Sequence, residues 1–388
     1  MTDVSDLLER HLFRDCRVAI ADGAGAPVGL RESLSVAARS VGGVRALLGW
    51  TLVAPIDVDD AEAFPDVCTT MSGYALRHPI RAGRVRYVPT RLGTVPSLLT
   101  GVLRPDVLVA ALRPGRDGLV FGSEVGWMRA AIEAGASVLA EVNHGLPAAS
   151  DGVPVPSDQV VVVAETDRPP HTFTFAAPDD AAEAIGERVA ALIPAGAAIQ
   201  YGPGTIADAV LHAIAVPVAV DSGLVTDAVM QLDARGLLLG RPRGAYVAGT
   251  DALYDWADGR HVVDGVETTH DISRLAAHDC LVAVNTALEI DVVGQVNVER
   301  VGDHPVGGIG GHPDFALAAS RSRHGLSIIA MPSRHRTGPT LVDRLSAPVT
   351  TPRSDVDVVV TEHGACDLRG LDDPARARAL RDLWSRGA

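Results

Sequence analysis

Apolar runs and helical stripes alternate along most of the chain. Residues 33–41 and 95–102 repeat apolar positions at helical spacing, and residues 44–53 read as a buried strand interrupted by glycine. Residues 84–88 alternate polar and apolar up to Pro89. Residues 106–112 are apolar almost without a break, the pattern of a strand covered on both faces. Residues 124–134 predict a helix opened by Ser123 as N-cap and stopped at Gly135, and residues 137–142 predict the next strand. This strand–helix–strand rhythm predicts a mainly parallel sheet.

The Pro-rich stretch at 167–178 breaks the rhythm and divides the chain into residues 1–172 and 173–388. Residues 179–193 then place Ala182, Ile185, Val189 and Ile193 on one helical stripe. From 198 to 236 the pattern reads strand, Gly202-Pro203-Gly204, helix, a second strand at 216–220, Asp221-Ser222-Gly223, helix. Ligands collect at the carboxyl ends of strands in open α/β sheets, and a helix N-terminus attracts anions. Strands are further expected at 244–249, 280–284, 327–331 and 356–360. A second glycine-rich loop, Gly307-Gly308-Ile309-Gly310-Gly311, precedes a helix from Asp314, and an Ala/Arg/Leu-rich helix closes the chain.

Composition narrows the classes. With 388 residues, two domains are expected; 47% hydrophobic and 21% charged residues fit a soluble globular protein. A net charge of −14 disfavours nucleic acid and anionic membranes as partners. No signal-type or membrane-spanning run stands out, which makes a cytoplasmic protein the expectation. Cys16, Cys68, Cys280 and Cys366 lie far apart and read as reduced thiols. Every basic residue is arginine, which excludes a Walker lysine and a Schiff-base lysine. No serine sits in a G-x-S-x-G elbow, and the scattered histidines form no zinc motif, so no metal is expected. His270-Asp271 and His278-Asp279 read as exposed loop pairs. Glu289 and Asp291 share a strand face, as a catalytic pair or as a turn network.

Gly202-Pro203-Gly204-Thr205-Ile206-Ala207 fits G-x-G-x-x-A, with Asp221 about 20 residues on. On those residues alone, NAD or FAD binding and a purely structural glycine turn both stay open.

The order of several longer blocks adds a resemblance. QYGPGTIADAVLHAI, SGLVTDAVMQLDARG, VAVNTALEIDVVGQVNVE, GGIGGHPDFALAASRSRHGLSIIAMPS and SDVDVVVTEHGACDLRG resemble successive blocks of the acetyl-CoA hydrolase/CoA-transferase family, of the acetate and 4-hydroxybutyrate CoA-transferase type. RPDVLVAALRPGRDGLVFGSEVGWMRAAIEAGASVLAEVNHGLP matches more loosely. The resemblance implies two open, mainly parallel α/β domains with the active site between them, and acyl-CoA and small carboxylic acids as substrates. It implies no tightly bound cofactor and a homo-oligomer, most simply a dimer. In the family a glutamate attacks the thioester and carries CoA as a glutamyl thioester, a covalent route that splits one transfer into two steps. Backbone amides of two glycine loops hold the oxyanion and CoA. Here those loops are Gly202, Pro203, Gly204, Thr205 and Ile206, and Gly308, Ile309, Gly310 and Gly311. Arg336 stands where the family has a lysine, and the resemblance implies that it meets a CoA phosphate.

Two departures matter. The slot of the family's glutamate holds Gly223, and the first loop carries Pro203, which has no N–H to donate. Three acyl-CoA readings follow: hydrolysis with Asp221 as general base, transfer with Glu289 or Asp221 as nucleophile, or acyl-CoA binding without turnover. An NAD-binding oxidoreductase is the remote alternative.

Overall fold

The computed structural model describes residues 3–302, 304–336 and 338–387. The chain forms two compact units. The first holds the residues up to Phe173, with Ala245–Glu267 and Pro305–Gly308; the second holds Thr174–Gly244, Thr268–His304 and the chain from Ile309 onward.

In the first unit the strands are β1 (Arg17–Ile20), β2 (Arg45–Leu48), β3 (Asp66–Thr69), β4 (Arg86–Tyr87), β5 (Val107–Pro114), β6 (Leu119–Val120), β7 (Ser137–Asn143) and β8 (Val160–Thr166). Their order is β4-β3-β2-β1-β5-β7-β8, with β6 paired to β5. All neighbours along that order run parallel, as the rhythm predicts; only β6 is antiparallel. The apolar run predicted as a doubly covered strand is β5, buried from Val107 to Ala111 and on to Leu112. Helix Arg31–Val41 lays Leu34, Ala37 and Ala38 over Val18, Ile20 and Val109 of the sheet. Each Leu, Val or Ile side chain taken from water contributes roughly 1.5–3 kcal/mol. The pattern analysis assigns no element to β8. It is an edge strand with Val162 exposed, so its apolar run lacks a clean period.

The helix predicted to start at Glu124 begins at Met128 instead, with Trp127 at its N-cap position. Ser123 does not cap it. Residues 123–126 run alongside 245–247, with Val125 N–H on the Ala245 carbonyl at 3.1 Å and Val247 N–H on the Ser123 carbonyl at 2.8 Å. Those bonds occupy the backbone that a longer helix would need.

The second unit has its own sheet. β9 (Ala198–Tyr201) lies between β10 (Ala219–Val220) and the strand Leu281–Asn285, followed by Leu326–Ala330, Val358–Thr361 and Gly364–Asp367. All pairs are parallel except the last. The strand predicted at 216–220 contracts to two residues because Pro217 has no N–H for the ladder. Ile329 and Val359 face Leu380 and Leu383 of the closing helix Asp373–Ser385, and Leu281 and Ala283 face Phe315 and Ala319 of the helix His312–Arg321. Asp179 and Asp372 cap their helices, accepting from Ala182 N–H and Ala375 N–H, both at 2.9 Å. Among the described residues no helix is long and apolar enough to cross a membrane.

Candidate active site

Strand order fixes where the second unit offers a crevice. After β9 the chain crosses to β10 on one side, and the next strand of the sheet, Leu281–Asn285, lies on the other. The carboxyl end of β9 is therefore a topological switch point, the usual place for a ligand in such sheets. Gln200 and Asn285 clamp the two strand ends through reciprocal amide hydrogen bonds of 3.1 Å. Gly202 N–H is spent on the Val284 carbonyl at 3.0 Å, and Pro203 has none to give. Gly204 sits at φ 139°, a region open essentially to glycine alone, and hands over to the helix Thr205–Ala213. That helix has no side-chain cap, so its first-turn amides, Thr205 and Ile206 among them, are available to an anion.

Beside this loop, Asp221-Ser222-Gly223 follows β10. Ser222 Oγ–H donates to the Tyr201 carbonyl at 3.1 Å, and Thr226 N–H donates to the buried Tyr201 hydroxyl at 3.2 Å, which locks the two strand ends together. Asp221 is 3% exposed. Arg274 grips it with both guanidinium nitrogens at 2.5 and 2.9 Å, His278 Nε2 lies at 2.8 Å and Arg243 at 3.5 Å. Burial alone would raise its pKa, but the His278 and Arg274 hydrogen bonds and the charges of Arg274 and Arg243 bring it down to about 2. A carboxylate so held is a poor base, with both of its oxygens engaged. The expectation of Asp221 as general base does not fit this geometry; the residue clamps the strand end to Arg274 and His278.

Gly223 is open. A Cβ there would lie 3.4 Å from His270 Nε2 and 3.9 Å from Phe315, ordinary contact distances, and its backbone does not require glycine. The same imidazole approaches the second glycine loop, where a Cβ on Gly311 would collide with His270 Nε2. His270 is 2% exposed, which corrects its reading as an exposed loop residue. Its Nδ1 lies 2.8 Å from Thr269 Oγ1, and its ring packs against Phe315 with centroids 4.9 Å apart. Burial, helped by the Arg274 charge and opposed by Asp221, lowers its pKa to about 3, so the ring is neutral at neutral pH. His312, next to Gly311, is also buried and lowered to about 4, with no hydrogen-bond partner for Nε2 among the described residues. Sequence offered no period or motif to single out His270. Its partner in the dipeptide, Asp271, does only capping work, accepting from Ser273 N–H and Arg274 N–H.

Other expected site residues lie elsewhere. Glu289 stands in the short strand Glu289–Asp291, where it accepts from Asn297 Nδ2 at 3.0 Å and from Ser346 N–H and Oγ–H at 2.7 and 2.9 Å. Asp291 turns to Val293 N–H, Gln295 N–H and the Gln295 side chain, the turn-network alternative rather than a catalytic pair. Arg336 is exposed in the turn between the strands Arg334–His335 and Gly338–Pro339. The loop 307–311 is divided: Gly308 belongs to the first unit, where a Cβ on it would press on Met71, while Ile309, Gly310 and Gly311 belong to the second.

The first unit carries a feature with no sequence signature. Asp22, at the end of β1, accepts from Trp50 N–H at 2.7 Å, Trp127 Nε1–H at 2.9 Å and Tyr246 O–H at 3.1 Å. Glu124 accepts from Ser123 Oγ–H at 2.8 Å and Gly25 N–H at 3.3 Å. Burial raises Asp22 to about 6 and Glu124 to about 8, the latter also through the charge of Asp22. Glu124 fills the space beside Gly23 and Gly25, so a Cβ on either would collide with its carboxyl. Among the described residues no cluster of His, Cys, Asp and Glu is arranged to hold a metal.

Residues 249–383 match the acetyl-CoA hydrolase/transferase C-terminal domain. Over 332 residues, 80% of this chain and 77% of the relative, the sequence is 31% identical to a 4-hydroxybutyrate coenzyme A transferase of Clostridium kluyveri. An acetyl-CoA hydrolase of Candida albicans is 37% identical over 111 residues, 27% of this chain and 20% of that protein. The crystal structure of RipA from Yersinia pestis superposes with a TM-score of 0.88 at 22% identity, covering 98% of this chain and 93% of that one, a likeness of fold.

Proposed function

The chain belongs to the acetyl-CoA hydrolase/CoA-transferase family, and we propose that it cleaves acyl-CoA thioesters with water as the acyl acceptor. One observation carries the choice of water. The strand end beside the Gly202–Gly204 loop presents Gly223, so no carboxylate stands there to take up CoA as a thioester. The other two carboxylates considered for that role are both engaged, Asp221 by Arg274 and His278, Glu289 by Ser346 and Asn297. Relatives bearing both names, CoA transferase and acetyl-CoA hydrolase, fit a scaffold on which the acceptor varies.

In this reading the uncapped N-terminus of Thr205–Ala213 faces negative charge on the ligand, and exposed Arg336 meets a CoA phosphate. Oxyanion stabilisation falls to amides other than that of residue 203. Coenzyme A is substrate, and no resident cofactor is needed.

A second reading has its own support: the loss of the Pro203 amide and of a carboxylate at 223 also suits a protein that binds acyl-CoA without turning it over. One assay separates the two. Purified protein is mixed with acetyl-, propionyl-, butyryl- and succinyl-CoA without any added carboxylate, and thiol release is followed alongside calorimetric binding. Steady release from at least one thioester is expected. Binding without release assigns the second reading; release that requires added acetate or succinate assigns transfer.

A further inference from the structure

We propose that His270 is the general base of this site, drawing a proton from the water that attacks the thioester beside Gly223. The inference rests on the hydrolytic reading above and adds the group that performs it. Among the described residues the atom nearest the residue-223 slot is a nitrogen of the His270 imidazole: Nε2 stands 3.4 Å from where a Cβ of Gly223 would be, and it also fronts Gly311. The ring cannot swing away, because it is 2% exposed and packed on Phe315. With the proton on Nδ1, that nitrogen donates to Thr269 Oγ1 at 2.8 Å, and Nε2 presents its lone pair towards Gly223.

Burial and the Arg274 charge lower His270 to about 3, so the ring stays unprotonated and Nε2 keeps its lone pair throughout the neutral range. Asp221 is the poorer candidate, since Arg274 engages both of its oxygens and His278 one of them.

The step balances without a further reagent. Nε2 takes one proton from water as the water oxygen bonds to the thioester carbon. The carbonyl electron pair moves onto oxygen and then re-forms the double bond as the carbon–sulfur bond breaks. The imidazolium returns its proton to the departing CoA sulfur. The products are a carboxylic acid and CoA thiol, and His270 is restored.

The test is thiol release by the wild-type chain and by His270→Asn and His270→Gln, with circular dichroism and melting as controls. A general base of this kind contributes about 10²–10⁴-fold. A fall of that order in kcat is expected, with KM little changed, and added imidazole is expected to restore part of the rate in His270→Gly. A folded His270→Asn protein with the wild-type rate overturns the role of His270 and leaves the hydrolytic reading standing. Wild-type protein that releases no thiol overturns the hydrolytic reading itself, and His270 with it. Should the substitutions fail to fold, the wild-type chain still decides: a normal solvent deuterium isotope effect on kcat is expected, and its absence counts against a base-assisted water.

Discussion

One residue separates Asp221 from Gly223, and the physical demands at the two positions differ. Asp221 is buried and paired, held at about 2 against an ordinary value of 3.8. Its stabilisation is therefore present above about pH 4 and is lost as pH falls through about 2. Asp221→Asn keeps the shape and removes the charge, so we expect a loss of about 2 kcal/mol at neutral pH from a shift of this size. The difference between variant and wild type should close on acidification towards pH 2, measured by urea unfolding across that range. An unchanged midpoint at pH 7 would show that the Arg274 clamp contributes nothing to the fold. At Gly223 the opposite holds. Its backbone is unstrained and a Cβ meets only ordinary contacts, so Gly223→Ala should leave stability within about 0.5 kcal/mol of wild type. Glycine there is explained neither by packing nor by backbone conformation. The sequence made that position visible only through its departure from the family blocks. The chemistry of its neighbour stayed hidden, because burial of His270 depends on Phe315 and Gly311, some 40 residues further along the chain.

Periodicity reveals an element when one face is buried and the next is not. The helices Arg31–Val41 and Asp180–Ala190 and the strands β5 and β7 meet that condition, and their patterns predict them closely. The edge strand β8 does not, and residues 124–127 carry a helical pattern because their strand-like pairing depends on residues 245–247, far away in sequence. Glycine turns behave differently: Gly202-Pro203-Gly204 was legible because its conformation is local. Gly204 at φ 139° should resist substitution, with Gly204→Ala costing about 1–3 kcal/mol in a thermal melt. Pro203 is a separate matter, since it removes an amide from the turn without an obvious structural return. If an amide at 203 serves the oxyanion, Pro203→Ala should raise kcat for thiol release, by up to about a hundredfold. A variant that melts like wild type and shows no gain would mean that the first helical turn already supplies the donors.

Across the molecule, the bulk numbers bounded the class without choosing the reaction: a charge of −14 and the lack of lysine removed partners and mechanisms, while the fold came from the strand–helix rhythm. What neither composition nor pattern exposes is that individual buried carboxyls of this chain respond to pH in opposite senses. In the second unit Asp221 lies below its ordinary value and loses its contribution in acid. In the first unit Asp22 lies at about 6 against 3.8, and Glu124 at about 8 against 4.5, both raised chiefly by burial. Between those values the native state holds protons that the unfolded chain has released. Stability must then fall as pH rises from about 4 and level off above about 8. Glu124→Gln replaces the protonated acid with a neutral group of the same shape and deletes most of that slope. Calorimetry between pH 5 and 8 should show the wild-type melting temperature declining with pH and the variant's declining far less, so that the variant is the more stable protein at pH 8. Equal slopes for the two proteins would mean that Glu124 is ionised in the folded chain and that its burial is relieved by partners other than Ser123 and Gly25.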